Sequence, residues 1–483
     1  MLFVLLAVCL YKIGEALGGS RRLAWAGVGV FWLMPFFLDN LSGGLSRGFA
    51  APLLALFWLS WLKGSAWGMG GALFLQALFI PYIFPVGAGA ALLGWGLGRV
   101  GRGAPPPFPR RPAHFLLMAL GAGLVFFMSH QFTAGGYGPL ASWADMVGRP
   151  EFTARGRFAI LPAPSLLWEL ISPWELIAPF QEEGLSPGAL GCAVLVGLAV
   201  YGGWRTDWQA LKPRLLPLTC LGLASLLLYF LARLFLLRLF VPDRYLIYTL
   251  NLFYCLALAW CWGTALKIWR WPQTVAVLVL ILAAGVGAWR LNNVGLYDFS
   301  VYRPAYAALA RTPKDALMAG HPNLMDNLMT FGQRRALVTF ELAQPWSVGY
   351  WQQLKPRLED LFTAYYAADP EMVRAFAEKY QVSFLVVDDR HFTPAFLTGG
   401  RFFVPFDDLT LKGSRKTLTE KITAPFFAPF DELIRRQTRN RDRFALLDPQ
   451  AFPRQGLGEH LWLLDLRPQP DHNPKDQPSG GIS

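Results

Sequence analysis

Ten apolar runs, each close to the length a helix needs to cross a bilayer, fill the first 290 residues and decide the fold class before any other feature. They cover about 1 to 17, 23 to 38, 48 to 62, 66 to 81, 83 to 98, 113 to 131, 186 to 203, 215 to 236, 246 to 264 and 273 to 289. The third to fifth are short and rich in Gly and Pro, so one of them is a candidate re-entrant segment. Composition agrees: 54% of the 483 residues are hydrophobic, 16% are charged, and the 19 Trp and 37 Phe exceed what a soluble core of this size would use. The expectation is a polytopic α-helical membrane bundle of about ten transmembrane helices, with the bilayer itself as its first partner.

Charge gives an orientation. Residues 1 to 290 hold 21 Lys and Arg against 10 Asp and Glu, whereas 291 to 483 hold 23 against 22, so most of the net charge of +12 belongs to the membrane half. A basic balance placed this way reflects topology and gives no ground for nucleic-acid binding. Alternate loops carry Arg21 and Arg22; Lys63; Arg99, Arg102, Arg110 and Arg111; Arg205, Lys212 and Arg214; and Lys267 and Arg270. By the positive-inside rule those loops are cytoplasmic, and Trp204, Trp208, Trp269 and Trp271 flank the same ends as an interfacial belt would. Counting crossings then puts the N-terminus and everything after the tenth run on the outer face of what reads as a bacterial inner (plasma) membrane. Met1 opens directly into Leu2 to Leu10 with no basic stretch before it and no small-residue cleavage site after it, which argues against a signal peptide. The expectation is that a preceding helix is missing.

Between the sixth and seventh runs lies a long outer loop, 132 to 185, with Gly135-Gly136-Tyr137-Gly138-Pro139 near its start and Pro164-Ser165-Leu166-Leu167-Trp168-Glu169-Leu170 further on. Loops of that length in compact proteins usually have a role. The second stretch reads as a helix along the outer interface, with Leu166, Leu167, Leu170 and Ile171 toward lipid or bundle.

After Arg290 the pattern becomes that of an extracytoplasmic α/β domain, 291 to 466. Apolar runs Ala316 to Ala319, Ala336 to Phe340, Ser383 to Val387, Phe444 to Leu447 and Leu461 to Leu466 read as strands, and Val348 to Ala367 and Glu371 to Tyr380 as helices. Asp369-Pro370-Glu371 is a helix start, with Asp as cap and Pro in the first turn. Strands alternating with helices favour a small sheet with parallel or mixed pairing. The tail, 467 to 483, is rich in Pro, Asp and Gly and reads as disordered. Cys9, Cys192, Cys220, Cys255 and Cys261 all lie inside apolar runs, so neither a disulfide framework nor a zinc site is signalled.

The richest polar cluster in the membrane half is Arg233, Arg238 and Asp243-Arg244-Tyr245, at the outer end of the eighth run and the start of the ninth. Arginine held at the bilayer centre costs on the order of 2.5 to 3.5 kcal/mol, and less near the interface, so something should offset three of them on this side. Snorkelling and pairing with Asp243 is one answer. An anionic ligand is the other, because guanidinium grips phosphate oxygens through a planar fork of donors. A second cluster, Asp39-Asn40 followed by Gly43-Gly44-Leu45-Ser46-Arg47, lies on the outer loop between the second and third runs. It reads either as a capped turn or as a close backbone approach to a ligand.

Three features carry a resemblance: the Pro242-Asp243-Arg244-Tyr245-Leu246 step into a late helix, the outer-loop Ser46-Arg47-Gly48-Phe49, and a C-terminal outer α/β domain entered through Arg311-Thr312-Pro313-Lys314-Asp315-Ala316. With the many-helix plan they make the chain similar to the C-type glycosyltransferases, which include protein mannosyltransferases, aminoarabinose transferases and the catalytic subunit of oligosaccharyltransferase. The resemblance implies sugar transfer from a polyprenyl-phosphate donor at the outer membrane face. It implies donor-phosphate binding by Arg244, with Tyr245 beside it; Arg238 and Arg47 join them from topology. The catalytic acid or base of that group sits on the first outer loop, and here the chain begins where that loop would end, so no catalytic residue is assigned and the chain is read as lacking the N-terminal helix and its loop. Asp39 and Asp243 stay as other polar candidates. One branch of the group holds a divalent ion, but no ligand spacing here signals a metal, and no other cofactor is assignable.

In the outer domain His321, Asp326, Arg334, Arg335 and Asp388-Asp389-Arg390-His391 are further polar candidates, the last group following a strand, where α/β domains place ligand sites. The same residues also end strands and cap turns. No Walker loop, no Gly-x-Gly-x-x-Gly after a strand, no His-Glu-x-x-His and no Gly-x-Ser-x-Gly occurs. Two further functions use the same features without transfer: a lipid-handling or transport protein whose outer arginines hold a lipid phosphate, and a membrane scaffold subunit whose outer domain binds a protein.

Overall fold

A computed structural model of the chain describes residues 1–18, 21–42, 45–100, 106–134, 137–162, 165–171, 187–211, 214–235, 239, 241–268, 278, 281, 282, 285, 298–393, 396, 402–406 and 444–467. The contact pattern divides the chain into two units. One comprises Met1–Gly135 and Pro164–Tyr297, the other Gly136–Ala163 and Asp298–Ser483.

The first unit is helical. Its elements are α1 (Leu2–Gly18), α2 (Arg21–Leu33), α3 (Pro35–Leu41), α4 (Ala50–Leu62), α5 (Ala66–Phe79), α6 (Phe84–Arg99) and α7 (Pro112–Ala134). After the short α8 (Trp143–Met146) of the other unit it continues with α9 (Leu166–Ile171), α10 (Pro187–Trp204), α11 (Trp208–Leu211), α12 (Leu216–Leu234) and α13 (Asp243–Ile268). Among the described residues three helices are long and apolar enough to cross a membrane, Pro112–Gln131, Leu216–Leu234 and Asp243–Ala265, which marks an integral membrane protein by length and composition. The expected second run is broken at Met34, because Pro35 supplies no N–H and opens a new helix, α3. Helices α4 and α5, at 13 and 14 residues, reach only about 20 Å each. The expected tenth run lies almost entirely outside the described residues.

What the helices bury is one apolar core that includes Phe31, Phe37, Phe57, Trp58, Tyr248 and Cys255, each at most 1% exposed. Close approach is built in with small residues: a Cβ placed on Gly202 of α10 would sit 1.8 Å from the Cys261 carbonyl oxygen of α13, so only glycine fits. Polar core groups are matched locally, as Ser225 Oγ and Thr249 Oγ1 are 2.8 Å apart across α12 and α13. Helix α7 instead exposes Leu116, Leu120, Phe126 and Phe127, the surface expected of a helix whose solvent is lipid.

The second unit is an α/β domain. Its five-stranded sheet has the order β2-β1-β3-β5-β4, from β1 (Leu317–Gly320), β2 (Arg335–Ala336), β3 (Phe384–Asp388), β4 (Arg454–Gly456) and β5 (Leu461–Asp465). Strands β2, β1 and β3 are parallel, and β5 runs antiparallel to both β3 and β4. Helices α14 (Arg303–Arg311), α15 (Pro322–Gly332), α16 (Val348–Tyr365) and α17 (Pro370–Tyr380) complete it. Two apolar clusters form, one around Leu358, Phe362, Tyr365, Tyr366 and Phe392, the other around Leu309, Met318, Leu328 and Val386. Helix α17 starts as its sequence dictates, with the Asp369 side chain accepting from Glu371 N–H and Pro370 in the first turn.

Two expected strands need correcting here: Ala336 to Phe340 leaves the sheet after Ala336, β2 being only Arg335–Ala336, and its buried Leu337 and Val338 pack in the core beyond the strand. Phe444 to Leu447 is a 3-10 turn, Ala445–Leu447, whose run of buried residues Phe444, Ala445 and Leu446 carries the same apolar signal as a buried strand. Strand β4 was invisible, since Arg454, Gln455 and Gly456 lie exposed on an edge and carry no apolar signal.

The long loop is shared between the units. Residues 137 to 162 pack on α16 and its approach: Ala141 N–H donates to the Trp346 carbonyl at 2.7 Å, and Tyr350 N–H to the Tyr137 carbonyl at 2.8 Å. Glu151, 1% exposed, anchors the segment by accepting from Trp351 Nε1 at 3.1 Å and Lys355 Nζ at 3.0 Å. Helix α9 belongs to the helical unit, where Tyr254 OH donates to the Leu170 carbonyl at 2.7 Å. Leu166 packs on the apolar core while Leu167 stays 68% exposed, so the expected amphipathic helix forms with only part of its apolar face against the bundle.

Candidate functional site

The site is built where the chain enters α13. Pro242 precedes the first helical residue, Asp243, and the turn is closed by Arg244 N–H to Val241 O at 3.2 Å and Tyr245 N–H to Pro242 O at 3.2 Å. One turn of helix separates residues four apart, so Arg244 and Tyr248 share a face, and Arg244 Nη1 lies 3.5 Å from the Tyr248 hydroxyl. That hydroxyl is 3.3 Å from Tyr82 OH, contributed by the turn between α5 and α6. The Phe36 ring of α3 stands 5.6 Å from the Tyr248 ring. Two segments distant in sequence, the α5–α6 turn and α3, therefore meet the first turns of α13.

A guanidinium carries five N–H donors, and half-buried Arg244 commits one, at a distance on the edge of hydrogen bonding. Asp243 precedes it, and among the described residues the buried Asp243 Oδ1 has no hydrogen-bond partner. Both residues act electrostatically on the Tyr82 hydroxyl. A cation with donors to spare, in a half-buried setting rimmed by hydroxyls, is equipped to take a phosphate in a bidentate grip.

The other arginine of this corner has no such capacity. Arg233, on the last turn of α12, pairs with Glu169 of α9 at 2.6 Å, donates through Nε to Tyr229 OH at 3.0 Å, and lies over the Tyr229 ring at 5.1 Å. It ties α9 to the bundle.

Of the residues singled out in the sequence, Asp243 and Arg244 open α13. Tyr245 does not join them: it is 3% exposed, sits 100° round the helix from Arg244, and its hydroxyl donates to the Leu239 carbonyl, pinning the preceding loop. Arg238 lies outside the described residues. Asp39 and Arg47 face each other, with Oδ2 and Nη2 3.6 Å apart, and Arg47 Nε is buried without a hydrogen-bond partner. Their turn is tight because Gly48 passes the Asn40 carbonyl so closely that a Cβ would stand 2.8 Å from that oxygen. Asp39 lies one turn beyond Phe36 on α3, so the pair borders the Tyr248 contact. Tyr82 and Tyr248 were missed. Tyr248 could have been found from its i+4 spacing to Arg244, whereas only the fold brings in Tyr82.

His321 and Asp326 belong to the α/β unit, where a second polar cluster sits at the ends of the parallel strands β1 and β3. His321, 1% exposed, follows β1, and its ring centroid is 4.6 Å from that of His391, which follows β3. The Tyr365 hydroxyl accepts from Asp388 N–H at 3.2 Å and shares a hydrogen bond with His391 Nδ1 at 3.0 Å. Burial pushes the His391 imidazole down to about 4, which keeps it neutral. Asp388 is held below the usual carboxylate range: burial would raise it, but hydrogen bonds from Arg390 outweigh that, Nε to Oδ1 at 2.9 Å and Nη2 to Oδ2 at 2.6 Å. Asp326 is raised by its burial and accepts from Glu341 N–H at 3.0 Å. Arg334 caps the end of α14 by donating to the Ala310 and Thr312 carbonyls, and Arg335 donates to the Asp315 carbonyl. The side chains of Asp388, Asp326, Arg334 and Arg335 are each engaged within the domain. Among the described residues no three His, Cys, Asp or Glu side chains gather as a metal site would require.

Comparison with known proteins gives no matching family model and no matching curated protein sequence. Among solved structures the chain is similar, at low identity, to an archaeal membrane glycosyltransferase, the oligosaccharyltransferase of Archaeoglobus fulgidus. Its apo form gives 12% identity and a TM-score of 0.43, covering 82% of this chain and 58% of that one. The same enzyme with zinc and sulfate gives 13% and 0.36, covering 82% and 56%. Its complex with an inhibitory peptide and a dolichol-phosphate gives 13% and 0.36, covering 82% and 58%. This chain thus spans less than three-fifths of the length of the structures it resembles.

Proposed function

We propose that this membrane protein binds a polyprenyl phosphate through Arg244 and transfers the sugar carried on that phosphate to an acceptor at the outer membrane face. The supporting observation is the half-buried Arg244 guanidinium, which makes one 3.5 Å contact with Tyr248 OH and keeps its remaining donors uncommitted. As the bond between sugar carbon and phosphate oxygen breaks, negative charge grows on the leaving phosphate, and a fixed guanidinium with few solvent competitors stabilises that charge more than it stabilises the ground state. Arg47 is a secondary contact on the same reading, and the ten crossings with an outer-facing α/β domain are its topology. The residue that activates the acceptor hydroxyl stays unassigned, since Asp39 is turned toward Arg47.

The test is binding of farnesyl phosphate by the purified full chain and by Arg244→Ala. Losing a charge-assisted grip should weaken binding about 100-fold with helicity unchanged. Equal affinity in the two proteins would sink the reading and favour the scaffold function. A second reading, phosphate-lipid handling without transfer, uses the same site and is favoured by the fact that, among the described residues, the acid beside Arg244 is its own neighbour Asp243. Transfer of labelled sugar from a glycosyl farnesyl phosphate, with release of farnesyl phosphate, separates the two.

A further inference from the structure

We infer that the outward face of α14, with the last turn of α15, docks on the anionic headgroups of the leaflet from which the chain emerges, and holds the α/β unit against the lipid surface. The inference is independent of any role for Arg244. Helix α14 turns Ala305 and Leu309 inward, where they join the apolar cluster that contains Met325 and Leu328 of α15. Its other side carries Pro304, Ala307 and Ala310, which are exposed and put little bulk between the backbone and whatever lies against it. Large apolar groups stand uncovered beside this shallow strip: Val301 is 71% exposed and Phe331, in the last turn of α15, is 53% exposed. The Phe331 ring lies 5.1 Å from that of Tyr306, which in turn is 6.5 Å from that of Tyr302, so an aromatic row links the two ends of the face.

Charge decides what this face fits. From Phe299 to Lys314 there is no Asp or Glu, whereas Arg303, Arg311 and Lys314 are basic. All three are exposed, and among the described residues none forms an ion pair or a side-chain hydrogen bond. Asp298 and Asp315 lie just outside the stretch, and Asp298 is engaged at its start, where Oδ1 accepts from Ser300 N–H at 2.8 Å. Elsewhere on the unit an exposed apolar residue is set among both signs: Met372 of α17, 38% exposed, shares its helix with Glu371, Arg374, Glu378 and Lys379. Unpaired cations beside aromatic and aliphatic groups suit the headgroup layer, where the cations meet lipid phosphate and the rings sit at the boundary with the acyl chains. Reach agrees, since Phe299 follows the expected end of the tenth apolar run, at 289, by ten residues, which span at most about 35 Å. So short a tether keeps the face at high effective concentration over the bilayer, and individually weak contacts then suffice.

The experiment measures depth with nitroxide labels on the full chain in lipid nanodiscs, placed one at a time at Val301→Cys, Phe331→Cys and, as the reference, Met372→Cys. The unsubstituted chain taken through the same labelling corrects for its own cysteines. In discs of phosphatidylcholine with phosphatidylglycerol, the labels at 301 and 331 should collide more with oxygen and less with a water-soluble nickel chelate than the label at 372, because oxygen concentrates in lipid. Discs of phosphatidylcholine alone should move both labels toward the reference, as should raising salt from 0.1 M to 1 M, which shortens the screening length from about 10 Å to about 3 Å. Arg303→Gln, Arg311→Gln and Lys314→Gln together should do the same; these side chains are exposed and unpaired, so the melting temperature should stay that of wild type, and the two lipid mixtures test the point without any change to them. Labels at 301 and 331 that match 372 in the mixed discs would place the face in water and overturn the inference. Shielding from both oxygen and the chelate would mean that protein covers the face, again against it, and immersion indifferent to phosphatidylglycerol would overturn the assignment to anionic lipid.

Discussion

The head of α13 and the strand ends of the α/β unit both concentrate polar side chains in half-buried surroundings, but they spend them differently. At the strand ends Asp388 gives both oxygens to Arg390, the Tyr365 hydroxyl accepts from Asp388 N–H and shares a hydrogen bond with His391, and burial holds the His391 imidazole neutral. At the head of α13 Arg244 has one contact at 3.5 Å and Asp243 has a buried oxygen that accepts nothing. A cluster bonded to itself in this way holds its own domain together. An unsaturated one carries a desolvation cost that a ligand can remove. The same contrast recurs within the helical unit, where Arg233 is spent on Glu169 and Tyr229.

This contrast is exposed to attack from both sides. The largest effect should come from Arg244→Ala, which costs about 100-fold in farnesyl phosphate affinity while shifting thermal stability by less than about 0.5 kcal/mol, read by binding isotherms and melting curves on the same preparation. Arg233→Ala should do the opposite. Stranding the Glu169 carboxylate, 11% exposed, should destabilise the bundle by about 2 to 4 kcal/mol with little change in affinity, and adding Glu169→Ala should recover most of the loss. Stability unchanged in Arg233→Ala would erase the distinction between the two arginines.

The strand-end cluster predicts a pH dependence. His391 titrates near 4 in the folded domain against about 6.5 unfolded, so between those values the unfolded chain binds the extra proton. Stability is therefore fully present above pH 6.5 and falls as pH drops toward 4, where the loss levels off. His391→Phe should flatten that slope in melting curves followed between pH 7 and pH 4; an equally steep slope in the variant would mean that other groups set it. The smallest effect is expected from Tyr248→Phe, which removes one long contact and should change farnesyl phosphate affinity by no more than about threefold.

Much of this architecture can be read from the sequence, and the gaps have physical causes. Helix α17 was legible to its cap because Asp369 and Pro370 act locally, and β3 because all five of its residues are buried. β4 was not, since an exposed edge strand needs no apolar residue. The long loop looked like one segment because periodicity does not say which body a stretch packs on; Glu151 and Trp351, two hundred positions apart, decide that for residues 137 to 162. In the site, Arg244 announces itself as a charge at the start of an apolar run. Tyr245 looked equivalent as its neighbour but points elsewhere by helical geometry, while Tyr82 arrives from a turn 166 positions away from Tyr248.

Photocrosslinking tests the central claim most directly. A farnesyl phosphate bearing a diazirine beside the phosphate, irradiated on the full chain in membranes, should label residues 241 to 248 together with Tyr82 or the 36–49 segment, and Arg244→Ala should abolish that labelling. Label concentrated instead around Arg233 and Glu169, or on the strand ends near His321 and His391, and persisting in Arg244→Ala, would contradict the assignment of the phosphate to the head of α13.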